Sequence, residues 1–125
     1  VTRKDCTHIY YFYAMKHDPD ITEVSRDRVY EALIAEGVPV VKEYINLHMY
    51  PMFLNKQCYG SKNFPWSINK SVDYRYGKGT CEVAERINER EYLGIFMCGS
   101  NFYDSEINMI GEAFNKVYAN LSELR

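Results

Sequence analysis

Three histidines, His8, His17 and His48, are the side chains here best suited to moving a proton near neutral pH. None stands beside an obvious nucleophile, and the chain contains no G-x-S-x-G, G-x-G-x-x-G, P-loop or H-E-x-x-H sequence. The carboxylates are spread along what read as solvated helical faces, so no general acid–base pair can be assigned. Four cysteines, Cys6, Cys58, Cys81 and Cys98, lie far apart, without C-x-x-C or zinc-finger spacing. Cys6 and His8 would share one face of a strand, but two ligands fall short of the four of a structural zinc site. The residues therefore predict free, mostly buried thiols, no metal site and no catalytic residue carried by this chain alone.

One stretch stands out: Tyr44-Ile45-Asn46-Leu47-His48-Met49-Tyr50-Pro51-Met52-Phe53. A single imidazole lies among rings at a turn fixed by Pro51. In a functional reading His48 exchanges a hydrogen bond with a ligand, and Tyr50 and Phe53 form walls. In the structural reading His48 is a satisfied histidine that holds the turn. The residue types alone favour the structural reading, because a lone histidine is weak ground for a site. A self-contained hydrolase built on His48 lacks both a nucleophile and an orienting partner.

The elements that would carry these residues follow from periodicity. His8–Lys16 is dense in aromatics and reads as a strand, its apolar run predicting cover on both faces or a central place in a sheet. Residues 17–20 read as a turn. Ser25 is a good N-cap, Val29, Leu33 and Ile34 recur at helical spacing, and Gly37 suits the C′ position. Val38–Val41 reads as a short extended piece. Residues 44–79 lose all period yet remain aromatic-rich, which predicts an ordered excursion packed on something outside this chain. Thr80 would cap a further helix with Val83, Ala84 and Ile87 as its apolar stripe and Glu82, Glu85, Arg86, Glu89 and Arg90 facing solvent. Tyr92–Cys98 reads as a second strand. A last helix starts near Asp104, with Ile107, Ile110, Gly111, Phe114, Val117, Tyr118 and Leu121 as its stripe. The order predicts an α+β fold: one domain over residues 1–125, with a small, mainly antiparallel sheet and helices packed on one side.

Composition narrows the function. At 125 residues and a net charge of −2, the chain lacks the clustered basic residues of a nucleic-acid binder. No apolar run approaches the ~20 residues of a membrane span, and no signal-peptide pattern opens the chain. Scattered cysteines predict a cytoplasmic protein. Twelve tyrosines and six phenylalanines suit interfaces and half-buried walls. The first residue is not Met, so the chain is expected to be part of a longer one.

In ordered pieces along nearly its whole length, the chain resembles the C-terminal domain of the DegT/DnrJ/EryC1/StrS family of aminotransferases. His8–Tyr13 resembles the family's strand after the interdomain crossover, and Ser25–Val38 its helix ending in "L-x-x-x-G-I/V". Asn46–Phe53 resembles "P-L-H-x-x-P-x-Y/F", with Asn46 where Pro is usual. Cys81–Arg86 stands where the family writes "P-x-A-E-x", and Glu91–Ile95 stands for its "L-x-L-P" strand without the Pro. The last helix is similar to "D-I-x-x-I-x-x-A-h-x-K-V", h being apolar.

The resemblance implies the small C-terminal domain of a fold-type I enzyme that uses pyridoxal phosphate. An N-terminal catalytic domain would hold the Schiff-base lysine and most of the cofactor contacts. It implies transfer of an amino group from glutamate or glutamine to a keto-sugar or keto-cyclitol, and a homodimeric parent. By position, His48, Tyr50 and Phe53 would line the substrate pocket, with Tyr44 and Asn46 as further wall residues. The competing reading is a stand-alone, non-catalytic binding or regulatory module. The two make opposite predictions for the loop: exposed apolar residues for the first, a well-buried loop for the second.

Overall fold

The computed structural model describes residues 3–99 and 101–125. Its residues group into two compact units, 1–43 with 90–125, and Tyr44–Glu89.

The first unit is a three-stranded antiparallel sheet with two main helices. Its strands are β1 (Phe12–Lys16), β2 (Val40–Val41) and β3 (Tyr92–Phe96), in the order β1-β3-β2. Phe12 pairs with Phe96, Met15 with Leu93, and Val40 with Ile95. Alternation along β3 sends Leu93 and Ile95 to the core face. They join Val29 and Leu33 of α2 (Arg26–Ala35), Ala113 and Val117 of α5 (Asp104–Ala119), and Val24, Val38 and Val40 in one buried cluster.

Local chemistry fixes the ends of the helices. The Ser25 side chain accepts from the Arg28 amide at the start of α2. At its end, Gly37 takes φ +83°, its amide bonds the Ile34 carbonyl and the Val38 amide bonds that of Leu33. This double reversal requires a left-handed C′ residue, hence glycine. It also brings Val38 onto Leu33, both of them core residues. Glu106 returns to accept from the Tyr103 amide at the start of α5.

Buried polar groups stitch this unit together. Arg26, 5% exposed, donates from Nη1 to the carbonyls of Lys42 and Tyr92, and from Nε to Asp27 at 2.7 Å. It thereby ties the start of α2 to the exit of β2 and the entry of β3. His17 is buried, with Nε2 2.8 Å from the Val24 carbonyl and Nδ1 3.0 Å from the Tyr118 hydroxyl. A carbonyl can only accept, so Nε2 carries the proton and Nδ1 accepts from Tyr118. Residues 17–20, expected to be a turn, instead start a one-turn helix, α1 (Pro19–Thr22), capped by Asp18.

Several expectations are overturned. The aromatic strand is neither central nor covered on both faces: β1 is an edge strand beginning at Phe12, with Tyr11 and Tyr13 half exposed. Rings satisfy one another there instead, Tyr11 standing edge-on to both Phe12 and Phe96. The four cysteines are free, as expected, but all are exposed rather than buried. The last helix keeps most of its expected stripe, with Val117 buried and Ile110, Phe114 and Leu121 packed against the core, but Ala113 joins the buried set and Ile107 is exposed.

The second unit contains two short helices, α3 (Pro51–Leu54) and α4 (Glu82–Arg86). Pro51 takes the first position of α3, where its missing N–H costs nothing. The end of α3 repeats the reversal seen at α2, with amides of Lys56 and Gln57 bonding carbonyls of Phe53 and Met52. Here the left-handed residue is Lys56, at φ +51°. No helix among the described residues is long and apolar enough to cross a membrane.

Candidate functional site

α4 inverts its expected amphipathy. Its one buried side chain is Glu85, 6% exposed, whereas Val83 is 62% exposed. Glu85 is not on a solvated face, and Thr80 is not the cap, a position held by Cys81. The reason is hydrogen bonding. The Glu85 carboxylate turns back to accept from the amides of Gly79, at 2.8 and 3.0 Å, and of Cys81, at 3.1 Å. Its Oε1 also lies 2.8 Å from His48 Nε2. Glu85 thereby satisfies the Cys81 amide, which the start of α4 would leave orphaned, together with the Gly79 amide just before it, and Val83 is left facing solvent.

The Gly79 amide, with smaller contributions from Cys81 and His48, holds the Glu85 carboxyl below its usual range despite the opposing effect of burial. Glu85 is therefore an acceptor only, so His48 carries its proton on Nε2. Nδ1 makes no hydrogen bond among the described residues and is not sealed from solvent. In the neutral ring it is left as an oriented acceptor. The backbone on either side is pinned as well: the Gly77 amide bonds the His48 carbonyl, and Met49 and Tyr50 amides close the turn on Asn46 and Leu47.

Asn46 joins the same region, its side-chain oxygen accepting from Asn88 at 2.7 Å. The structure therefore gathers two of the five predicted residues, Asn46 and His48, against residues 85–88. Phe53 goes elsewhere. Its ring meets Trp66 at 6.2 Å, edge to face, and Tyr76 at 5.3 Å, while Trp66 Nε1 donates to the Tyr76 hydroxyl. Tyr44 and Tyr50 are partly exposed. Sequence reasoning missed Glu85; the signal was its place as the fifth residue of Cys81-Glu82-Val83-Ala84-Glu85, one turn after a helix start.

A Schiff-base lysine must be able to give up its charge, which calls for burial away from carboxylates. Among the described residues no lysine is buried, and Lys16, Lys42, Lys78 and Lys116 each face a carboxylate. These residues do not fit covalent attachment of pyridoxal phosphate. Nor do the described residues gather three metal-ligating side chains.

Glu85 is the one buried residue in the second unit. Apolar side chains there face outward, among them Leu47, Tyr59, Ile68 and Val83. Comparison with protein-family models, with curated proteins and with solved structures returned no match.

Proposed function

We propose that this chain is the substrate-side C-terminal domain of a pyridoxal-phosphate-dependent aminotransferase. The enzyme would move an amino group from glutamate or glutamine to a keto-sugar or keto-cyclitol. The observation that carries the reading is the His48–Glu85 pair at 2.8 Å. The histidine of the "L-H-x-x-P" piece and the glutamate of the "P-x-A-E" piece lie 37 residues apart in the chain and bond each other.

In this reading His48 Nδ1 accepts a hydrogen bond from a substrate hydroxyl, Tyr50 and Asn46 flank it, and Phe53 takes no part, packing instead on Trp66 and Tyr76. Proton transfer at the amino carbon belongs to a lysine on the N-terminal catalytic domain. The outward-facing apolar residues of Tyr44–Glu89 favour this over the stand-alone binding module, which predicts a buried loop. The parent would be a cytoplasmic homodimer, its small domain of the fold-type I kind.

The test is to express the complete reading frame containing this chain and assay amino transfer to keto-sugar and keto-cyclitol acceptors. Activity that falls in His48→Ala, with the cofactor still bound, supports the reading. A frame encoding no domain with a Schiff-base lysine would transfer support to the binding module.

A further inference from the structure

A second feature of Tyr44–Glu89 is independent of the transaminase reading. A cleft of about 640 Å³ is lined by Leu54, Lys56, Tyr74, Arg75, Tyr76, Lys78, Gly79 and Thr80. Three of these side chains are cationic and none is a carboxylate, in a protein whose net charge is −2.

We propose that the cleft binds a small phosphate-bearing molecule. Lys56 is half-buried and makes no ion pair among the described residues. It stands at the left-handed residue that ends α3, where glycine would be the unstrained choice. Arg75 pairs with Asp73 at 2.6 Å and Lys78 with Glu89 at 3.2 Å, but all four side chains are more than half exposed. Such pairs hold little energy, so a phosphate can draw both cations from them. Arg75 offers a fork matched to phosphate oxygens, and Lys56 and Lys78 supply point charges. The Gly79 amide is already committed to Glu85, so binding rests on side chains. Tyr74 and Tyr76 add ring surfaces for a planar or sugar moiety. The volume suits one small ligand rather than a polymer.

Trp66 gives the assay. It is the only tryptophan, and its Nε1 donates to the hydroxyl of Tyr76, a lining residue, at 2.9 Å. Its emission should respond when the cleft fills. The full chain is titrated with inorganic pyrophosphate, ribose 5-phosphate and adenosine 5′-diphosphate, by emission and by calorimetry. Saturable one-to-one binding is expected, with Lys56→Gln and Arg75→Gln each weakening it about tenfold or more. Lys70→Gln, outside the lining, should leave it unchanged. Equal affinity for all three probes identifies the anion alone as the determinant, whereas a preference for either organic phosphate adds the rings. Arg75 is largely exposed, so Arg75→Gln tests the idea even if Lys56→Gln perturbs the end of α3; circular dichroism checks both. No saturable binding of any probe, or binding indifferent to both substitutions, overturns the proposal. So does much tighter binding of a single-stranded RNA oligomer that spans many cations.

Discussion

Phe53 separates two roles that the sequence could not distinguish, a pocket wall or a packing ring, and Phe53→Leu tests between them. Leucine keeps most of the apolar contact and removes only the aromatic geometry. Phe53 meets Trp66 at 6.2 Å with planes at 90° and Tyr76 at 5.3 Å with planes at 41°. Each such pair contributes about 0.5–1.5 kcal/mol beyond area burial, so the substitution should cost about 1–3 kcal/mol. Urea unfolding followed by Trp66 emission reads this unit directly, because that indole is both a partner in the cluster and the sole tryptophan. Phe64→Leu is the control: Phe64 is half exposed and, among the described residues, has one tilted ring neighbour, Tyr59, at 6.4 Å. Its cost should stay within about 0.5 kcal/mol, as for surface substitutions generally. If Phe53→Leu cost no more than Phe64→Leu, the rings would not be what holds Phe53, and its assignment as packing would be wrong.

Leu33 is fully buried, so Leu33→Ala should destabilise the first unit by about 2–5 kcal/mol in thermal melts followed by circular dichroism. Gly37→Ala meets no atom within 4 Å but places a side chain at φ +83°, and should cost about 1–2 kcal/mol from backbone strain alone. Burial pushes the Asp27 carboxyl up, but hydrogen bonds from Arg26 and Lys42 outweigh it and leave the group below its usual range. A depressed carboxylate contributes stability above its unfolded value, near 4, and loses it as pH falls through the folded value. Acid titration should therefore show a loss that Asp27→Asn abolishes, within the ~0.2–1 kcal/mol of an exposed pair. Glu85→Gln should speed hydrogen exchange at the Gly79 and Cys81 amides and remove the His48 Nε2–H signature from long-range ¹⁵N spectra; unchanged exchange would contradict the role given to Glu85.

Much of the first unit was legible. Ser25 and Gly37 bracket α2 because capping chemistry is local, and Val29 and Leu33 face the core because the spacing between them is helical. β1 was misread because apolar density does not distinguish a strand covered by neighbours from one whose rings cover each other. In the second unit local rules gave less. The period of α4 pointed Val83 and Ile87 inward, but three donors around one carboxylate, all of them outside residues 82–86, decided its orientation. His48 and Asn46 could be picked out as unusual, yet their partners Glu85 and Asn88 lie 37 and 42 residues further on. No local pattern encodes such a pairing. The cleft was invisible for the same reason: Lys56 and Arg75 read as ordinary surface charges until the chain returns Gly77–Thr80 beside them.

A unit whose one buried residue is a carboxylate raises the question of what Glu85 is for. Burying that group costs solvation, and removing any one donor would leave the rest poorly compensated. An apolar residue at position 85 would pack as well but would hold nothing in place. The carboxylate differs in demanding fixed directions from four hydrogen bonds at once, from the backbone at 79 and 81 and from one ring nitrogen of His48. Fully satisfied networks of this kind specify one arrangement more than they add stability. Stability alone does not call for so directional a device. Under the proposed function, placing an acceptor at His48 Nδ1 does call for it, and the pair is then part of a binding surface as well as a fastening for the turn.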